Sequence, residues 1–337
     1  MTGWVRRYWQ WLIGPVLVGA AALAGWFVDT GSFLVMPGDA VNTSSMVSIA
    51  QAPKKANAGR LLLVTIYSAP ANADEWLFGH VYPNAQLVPA QTQLPPNTTY
   101  EHFRHIEEAM MADSQTTAKL VALRTLGYDV PVHGQGAVLN NVARGSAGAQ
   151  AGLQRGDLIT AVNGQPIETD AQLVTLIGTM KPGQSVALDL KPNNSDDQRE
   201  LNVTLGARED QPDRPLLGVV PSTYRPSYDF PVQVNIDSKG IIGPSAGLVL
   251  TLSIIQALSS TDITHGHNVA ATGTVDMQGN VGPIGGIEDK VLAAEGHADY
   301  FFVPKQDYDA AAKQAKGIQL VEVDTVQQAM DFLAKLA

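Results

Sequence analysis

The sequence predicts an α+β chain in which an N-terminal transmembrane helix precedes at least two globular modules. An uncharged apolar stretch over residues 12–28 predicts the helix, and a series of glycine turns alternating with apolar runs over residues 128–208 predicts a β-rich module with helices. A serine turn and a lysine turn within residues 232–337 indicate a second module. The length of 337 residues suits two or three domains, and the 45% of hydrophobic residues can form their cores.

Charge and cysteine content exclude several kinds of function. The net charge is −10 and no basic run interrupts it, so the composition argues against a nucleic-acid partner. The chain has no cysteine, which excludes disulfides, cysteine-based metal sites and a thiol nucleophile. No sequence pattern implies a cofactor or a bound metal.

The N-terminus predicts a location. Arg6 and Arg7 precede the apolar stretch Leu12–Val28, which approaches the length needed to span a bilayer, and Asp29 closes it. Basic residues mark the cytoplasmic side, so residues 1–30 are predicted to be a cytoplasmic stub and single-pass membrane anchor, with the rest of the chain outside the cell. A cleaved signal peptide ending near Ala22-Leu23-Ala24 and a buried helix are the alternatives.

Residues 31–127 form an N-terminal extracytoplasmic segment in this interpretation. The apolar, β-branched run Leu61–Tyr67 predicts a strand, whereas five prolines make residues 68–98 mostly loop. Apolar residues at helical spacing predict a helix from Tyr100 to Leu126. His102 and His105 lie three residues apart on this helix and could share a metal ion. No carboxylate pattern accompanies them, so a solvated helix face is the favoured interpretation.

Residues 128–208 carry several motifs in a fixed order. A glycine loop and a strand are followed by a small-residue turn, an Ala-Gly-Leu step, a Gly-Asp turn and an Asn-Gly turn: Gly134–Gly136, Ala137–Val142, Gly145–Ala147, Ala151–Leu153, Gly156–Ile159 and Asn163-Gly164. This order resembles the PDZ domains of bacterial envelope proteases, although Ala147 stands where many relatives have proline. Residues 209–231, rich in proline and acidic residues, are predicted to be a linker.

The PDZ resemblance implies peptide capture by strand addition. An extended peptide would pair with an edge strand near Ala137–Asn140, and N–H groups of the glycine loop would receive its terminal carboxylate. The residues predicted to bind peptide are Gly134, Gln135, Gly136, Ala137 and Val138. A PDZ-shaped spacer with an unused groove is the alternative.

Ser245 lies at the point where a turn becomes an apolar helix. Gly243-Pro244 precedes it and Ala246-Gly247 follows, and the run Leu248–Leu258 is apolar on nearly every face. A serine at a helix start lies beside free N–H groups and the positive end of the helix dipole, which could hold an oxyanion. The simpler alternative is that Ser245 caps the helix.

A second turn delivers a lysine. The glycine-rich stretch Gly279–Gly286 leads to Lys290 at the start of an apolar helix. Burial there would lower the lysine pKa from about 10.4 to about 7–8, which requires about 4 kcal/mol of environmental bias. With no well-placed His–Asp pair near Ser245, a neutral lysine is the natural base.

These two turns resemble the proteolytic domain of Lon-type serine proteases. The resemblance implies a catalytic dyad of Ser245 and Lys290, with a supporting role for Thr272. Residues around the serine are assigned supporting roles as well: Gly243, Pro244 and Ala246. The phosphate-binding pattern of an ATPase module is absent, so proteolysis is predicted to be independent of ATP. Ile241-Ile242 stands where the family often has an acidic residue or lysine.

The whole combination resembles the membrane-anchored PDZ-containing Lon-like proteases. It implies a serine endopeptidase that cleaves secreted or membrane-proximal polypeptides, recruits them through the PDZ domain, and could form a homo-oligomer. Residues 232–337 would hold the dyad, and residues 31–127 would be the first part of the same domain, interrupted by the PDZ module. A peptide-binding adaptor with a relict protease fold and a metal-dependent hydrolase using His265-Gly266-His267 are the alternatives.

Overall fold

The structure is a computed structural model, which describes residues 16, 19–20, 23–50, 52–53, 58–193, 195, 197–208 and 210–336. The chain forms two compact units. Unit 1 consists of residues 1–128 and 232–337, and unit 2 consists of residues 129–231.

The helices of the described chain are numbered in chain order. They are α1 (Ala73–Val81), α2 (Ala90–Gln93), α3 (Tyr100–Thr125), α4 (Ala147–Ala151), α5 (Asp170–Gly178), α6 (Gly247–Leu258), α7 (Ile287–Ala294), α8 (Tyr308–Gln314) and α9 (Val326–Leu333). Short 3₁₀ helices lie at Thr43–Ser45, Pro244–Ala246, Lys305–Asp307 and Ala334–Leu336.

The strands are numbered in the same way. They are β1 (Asp29–Asn42), β2 (Val47–Ile49), β3 (Arg60–Asn72), β4 (Gln86–Pro89), β5 (Val132–His133), β6 (Ala137–Val142), β7 (Leu158–Val162), β8 (Gln165–Pro166), β9 (Ser185–Lys191), β10 (Arg199–Thr204), β11 (Gly206–Ala207), β12 (Pro215–Leu216), β13 (Val219–Thr223), β14 (Ser227–Tyr228), β15 (Val234–Ile236), β16 (Asn268–Ala271), β17 (Thr274–Val275), β18 (Val281–Gly282), β19 (Tyr300–Pro304) and β20 (Gln319–Val323).

The main sheet of unit 1 joins the two segments of that unit. Its strand order is β20-β19-β16-β3-β1-β4. Strands β3, β16, β19 and β20 run parallel to their neighbours in that series, and β1 is antiparallel to both β3 and β4. Strand β3 from the first segment therefore pairs directly with β16 from the second.

Strand β3 is apolar on both faces because both faces of the sheet are covered. Leu61 and Leu63 belong to one core cluster, which includes the residues of α6, whereas Leu62 and Val64 belong to a second cluster with α7. Parallel strands covered on both faces have such continuous apolar runs. Helix α6 is buried from its first residue to Gln256, as its uniformly apolar sequence predicts.

The stretch predicted as loop between residues 68 and 98 contains α1, β4 and α2. A local signal explains α1: Asn72 accepts hydrogen bonds from the N–H groups of Asp74 and Glu75, and the Glu75 side chain accepts one from the N–H of Asn72. This capping box stabilises a helix start despite the prolines nearby.

Unit 2 contains the sheet β10-β9-β7-β6-β13, with β8 paired to β7. Alternate strand residues such as Leu139, Leu188 and Leu190 form its core together with Leu173 and Ile177 of α5. The segment 209–231, predicted as a linker, supplies β13, which is antiparallel to β6.

The predicted transmembrane helix, and the single-pass membrane location inferred from it, are wrong. Among the residues that the structure describes, no helix is long and apolar enough to cross a membrane. Of residues 12–28, positions 12–15, 17–18 and 21–22 lie outside the described residues. Helical backbone ends at Gly25, a turn follows at Trp26 and Phe27, and β1 begins at Asp29, so the apolar run ends in a turn and not in continuous helix.

Candidate active site

The serine turn lies where the chain enters α6. Gly243 has φ = +93°, a conformation that favours glycine, and Pro244–Ala246 form a short 3₁₀ helix that continues into α6. Ser245 is partly exposed, and neither helix start has a side-chain cap. The Ser245 hydroxyl is thus not a helix cap in this structure.

Lys290 and Thr272 converge on Ser245 from two other elements. Lys290, on α7, is 3% exposed, and its Nζ donates a hydrogen bond to Ser245 Oγ at 2.8 Å and to Thr272 Oγ1 at 3.1 Å. Thr272 follows β16, is 1% exposed, and donates through Oγ1 to the carbonyl of Ser245 at 3.2 Å. The N–H of Gly273 donates to the same carbonyl at 2.9 Å. These contacts fix the Ser245 backbone as well as its side chain.

Burial changes the protonation of Lys290. It lowers the pKa of the ammonium group to about 8, because the charged form loses its hydration, while the negative charge of Asp307 raises the pKa. Asp307 lies just before α8, accepts a hydrogen bond from the N–H of Ile284 at 2.9 Å, and thereby holds the lysine turn. No local sequence signal marks Asp307, because its carboxylate acts on a residue of another element.

Helix α3 positions the serine turn from the opposite side. Ser114 Oγ donates to the carbonyl of Pro244 at 3.1 Å, and the N–H of Gly243 donates to the carbonyl of Glu107 at 3.0 Å. No sequence signal pointed to Glu107.

In unit 2, the backbone groups of the predicted peptide-binding loop and strand already pair with other parts of the chain. Strand β6 lies between β7 and β13 and is not an edge strand. The N–H of Gln135 donates to the carbonyl of Tyr224 at 3.0 Å, and that of Gly136 donates to Glu168 at 3.1 Å. Gly134, Gln135, Gly136, Ala137 and Val138 are therefore not placed to receive a peptide as predicted. The cause is a long-range pairing with β13 that local motifs do not reveal.

Strand β13 is one of the two edge strands in this sheet order of the described chain, and β10 is the other. Between β13 and α5 lies a cavity of about 200 Å³, which is mainly apolar and is lined in part by Leu173, Ile177 and Leu216. At its end, Gly218 has φ = +78°, and the N–H groups of Leu217 and Gly218 donate to no acceptor among the described residues. Free adjacent N–H groups of this kind can bind an anion.

The histidines considered as metal ligands in the sequence do not form a metal site in the described part of the chain. His105 Nδ1 is hydrogen-bonded to Glu108 Oε2 at 3.2 Å, and His267 Nδ1 lies 3.6 Å from Asp299 Oδ2. No set of three His, Asp or Glu side chains in the described part of the chain is arranged to hold a metal ion.

Comparisons with known proteins match both units. Residues 124–205 match the family model of the PDZ domain, and residues 232–335 match the C-terminal proteolytic domain of Lon protease (S16). The chain carries a PDZ domain and a Lon-type proteolytic domain. Both resemblances seen in the sequence are confirmed at this level, while membrane anchoring is not.

Individual relatives match parts of the chain. Lon protease 2 of Bacillus subtilis (strain 168) is 34% identical over 116 residues, which are 34% of this chain and 20% of the relative. Lon protease of Malacoplasma penetrans (strain HF-2) is 31% identical over 183 residues, or 52% of this chain and 22% of the relative. The chain therefore spans about a fifth of the length of these curated relatives.

A solved PDZ domain from an SdrC-like protein of Listeria monocytogenes is 23% identical to this chain, with a TM-score of 0.23. The match covers 26% of this chain and 87% of the Listeria chain.

Proposed function

We propose that this protein is a serine endopeptidase that cleaves polypeptides through Ser245 and Lys290 without ATP. One observation carries the proposal: the amine of a buried lysine lies 2.8 Å from the hydroxyl of a partly exposed serine at a helix start. The match of residues 232–335 to a proteolytic domain supports the same reaction class. The cleavage proposed for these 337 residues uses no ATP site of their own, since they contain no Gly-x4-Gly-Lys-Ser/Thr pattern.

In this mechanism, neutral Lys290 accepts the Ser245 hydroxyl proton while Oγ attacks the scissile carbonyl. The tetrahedral oxyanion is stabilised by N–H groups at the helix start. Those of Ser245 and Ala246 donate to no acceptor outside their own helical turn among the described residues. Such donors contribute about 3–4 kcal/mol each in comparable sites. Protonated Lys290 then gives its proton to the leaving amine, and the neutral lysine activates the water that hydrolyses the acyl-enzyme.

Thr272 has a positioning role in this proposal. Its hydroxyl accepts one hydrogen bond from Lys290 and donates one to the Ser245 carbonyl, so it orients the amine towards Oγ. Gly243, Pro244 and Ala246 shape the turn that presents the serine.

The PDZ domain recruits or positions the polypeptide in this proposal. An extended C-terminal segment adds to the open edge of β13, and the N–H groups of Leu217 and Gly218 bind its carboxylate. An apolar side chain at the end of the peptide enters the cavity against Leu173 and Ile177.

The Lon-type domain is divided in this proposal, with residues 31–127 as its first part and the PDZ domain inserted after it. The direct pairing of β3 with β16 and the packing of α3 against the serine turn support this division. Assembly into a homo-oligomer stays a prediction from the family.

Cleavage of an unfolded model protein tests the proposed function. Wild type is expected to cleave it in the absence of ATP, whereas Ser245→Ala and Lys290→Ala are expected to lose at least a thousand-fold in rate, since each removes one partner of the proton transfer. Circular dichroism of each variant verifies that it is folded. Undiminished cleavage by either folded variant would reject the dyad, and binding of peptides without cleavage by wild type would favour an adaptor.

A further inference from the structure

Glu107 brings a carboxylate to the serine turn. The N–H of Gly243 donates to the backbone carbonyl of Glu107, and a Cβ atom placed on Gly243 would lie 2.7 Å from Glu107 Oε2. The carboxylate therefore lies directly against Gly243, two residues before Ser245. The turn itself, residues 241–246, contains no charged residue.

The carboxylate of Glu107 has no partner within the described residues. Arg104 and His105 on the same helix both pair with Glu108, and Lys239, which precedes the serine turn, donates to Ser45 Oγ at 2.8 Å. Glu107 is only partly exposed, and burial raises the pKa of its carboxyl group. A half-buried carboxylate without a partner is unfavourable unless a ligand supplies one.

We propose that Glu107 is a specificity-determining residue that selects polypeptides with a lysine or arginine beside the scissile bond. This inference rests on the proposed function of Ser245. A cationic side chain in the substrate would supply the charge-assisted hydrogen bond that Glu107 lacks within the chain. Ile241 and Ile242 are partly exposed and add no charge of their own, so the selectivity depends on Glu107.

A peptide series that differs only in the residues flanking the cleaved bond tests this role. The measured quantity is the ratio of kcat/KM for a Lys-containing peptide to that for its Gln-containing equivalent. We expect a ratio of about ten for wild type, as a single charge-assisted contact in a partly solvated site provides. Glu107→Gln should reduce the ratio to about one, and Glu107→Lys should invert it in favour of a Glu-containing peptide.

Glu108→Gln is the matched control, because it removes a carboxylate from the next position of the same helix, where the charge already has partners. It should keep the wild-type ratio. A wild-type ratio of one, or a ratio that Glu107→Gln leaves unchanged, would overturn the inference while cleavage by Ser245 persists. A wild type that cleaves no peptide would instead reject the proposed function.

Discussion

The pH dependence of cleavage follows from the burial of Lys290. With a pKa of about 8, roughly one lysine in eleven is neutral at pH 7 and about ten in eleven are neutral at pH 9. The kcat/KM value for a peptide without titrating groups should therefore rise about ten-fold between pH 7 and pH 9 and then level off. A lysine with an ordinary pKa would give about a hundred-fold rise with no plateau in that range.

A substitution at Asp307 should shift the pKa of Lys290 in a direction that follows from its charge. Its negative charge raises the pKa of Lys290, so Asp307→Asn should lower that pKa and move the rising limb to lower pH. Asparagine can still accept the hydrogen bond from the N–H of Ile284, which keeps the lysine turn in place. Asp309→Asn, an exposed position on α8, is the control and should leave the limb unchanged. A limb that moves to higher pH in Asp307→Asn, or a wild-type profile without a plateau, would refute this account of the base.

Three further predictions concern stability and binding. Lys290→Met should be inactive yet more stable than wild type by up to about 3 kcal/mol at pH 7, because the pKa of Lys290 falls from 10.5 to about 8 on folding. The gain in stability should shrink between pH 8 and 10.5, where Lys290 is protonated in the unfolded chain alone. Denaturant unfolding measures the difference in stability at each pH, and a difference that stays constant across that range would contradict the prediction. Gly243→Ala should cost about 1–3 kcal/mol of stability and reduce cleavage more than ten-fold, since it adds both backbone strain and a contact with Glu107. Gly240→Ala is the control, because its φ of +79° gives the backbone strain alone and nothing lies within 4 Å of the added Cβ. It should keep most of the activity. Amidation of a peptide's C-terminus should weaken its binding to the PDZ domain at least ten-fold in a fluorescence titration, because the amide removes the negative charge that the N–H groups are proposed to bind; equal binding of the amidated and the free peptide would contradict a carboxylate site.

The two turns of the candidate active site could be predicted from the sequence. The turns at Ser245 and Lys290 each combine glycines, a helix start and an apolar run, and these features occur within a few residues of each other. The structure brings the two side chains to within 2.8 Å. The positions of Glu107 and Asp307 beside the turns could not be predicted, because they depend on which distant elements pack around the turns.

The strand pairing of the PDZ domain could not be predicted from local sequence patterns either. Gly134–Gly136 and Leu216–Gly218 each contain glycine, and each precedes a strand, β6 and β13 respectively. Which strand becomes the edge depends on the pairing of β6 with β13, about 80 residues apart in sequence, and such a register is set by tertiary contacts. Local patterns therefore identified the PDZ domain but did not reveal that β6 is an inner strand of its sheet.

Ser245 is proposed to be a nucleophile that Lys290 activates. The most direct measurement is labelling with a serine-reactive fluorophosphonate, followed by mass spectrometry of the modified peptide across pH 6–10. Wild type is expected to be labelled at Ser245 with a rate that rises through pH 8, and Lys290→Ala should be labelled at least a hundred-fold more slowly. Labelling at another residue, or equal rates for folded wild type and Lys290→Ala, would contradict the claim.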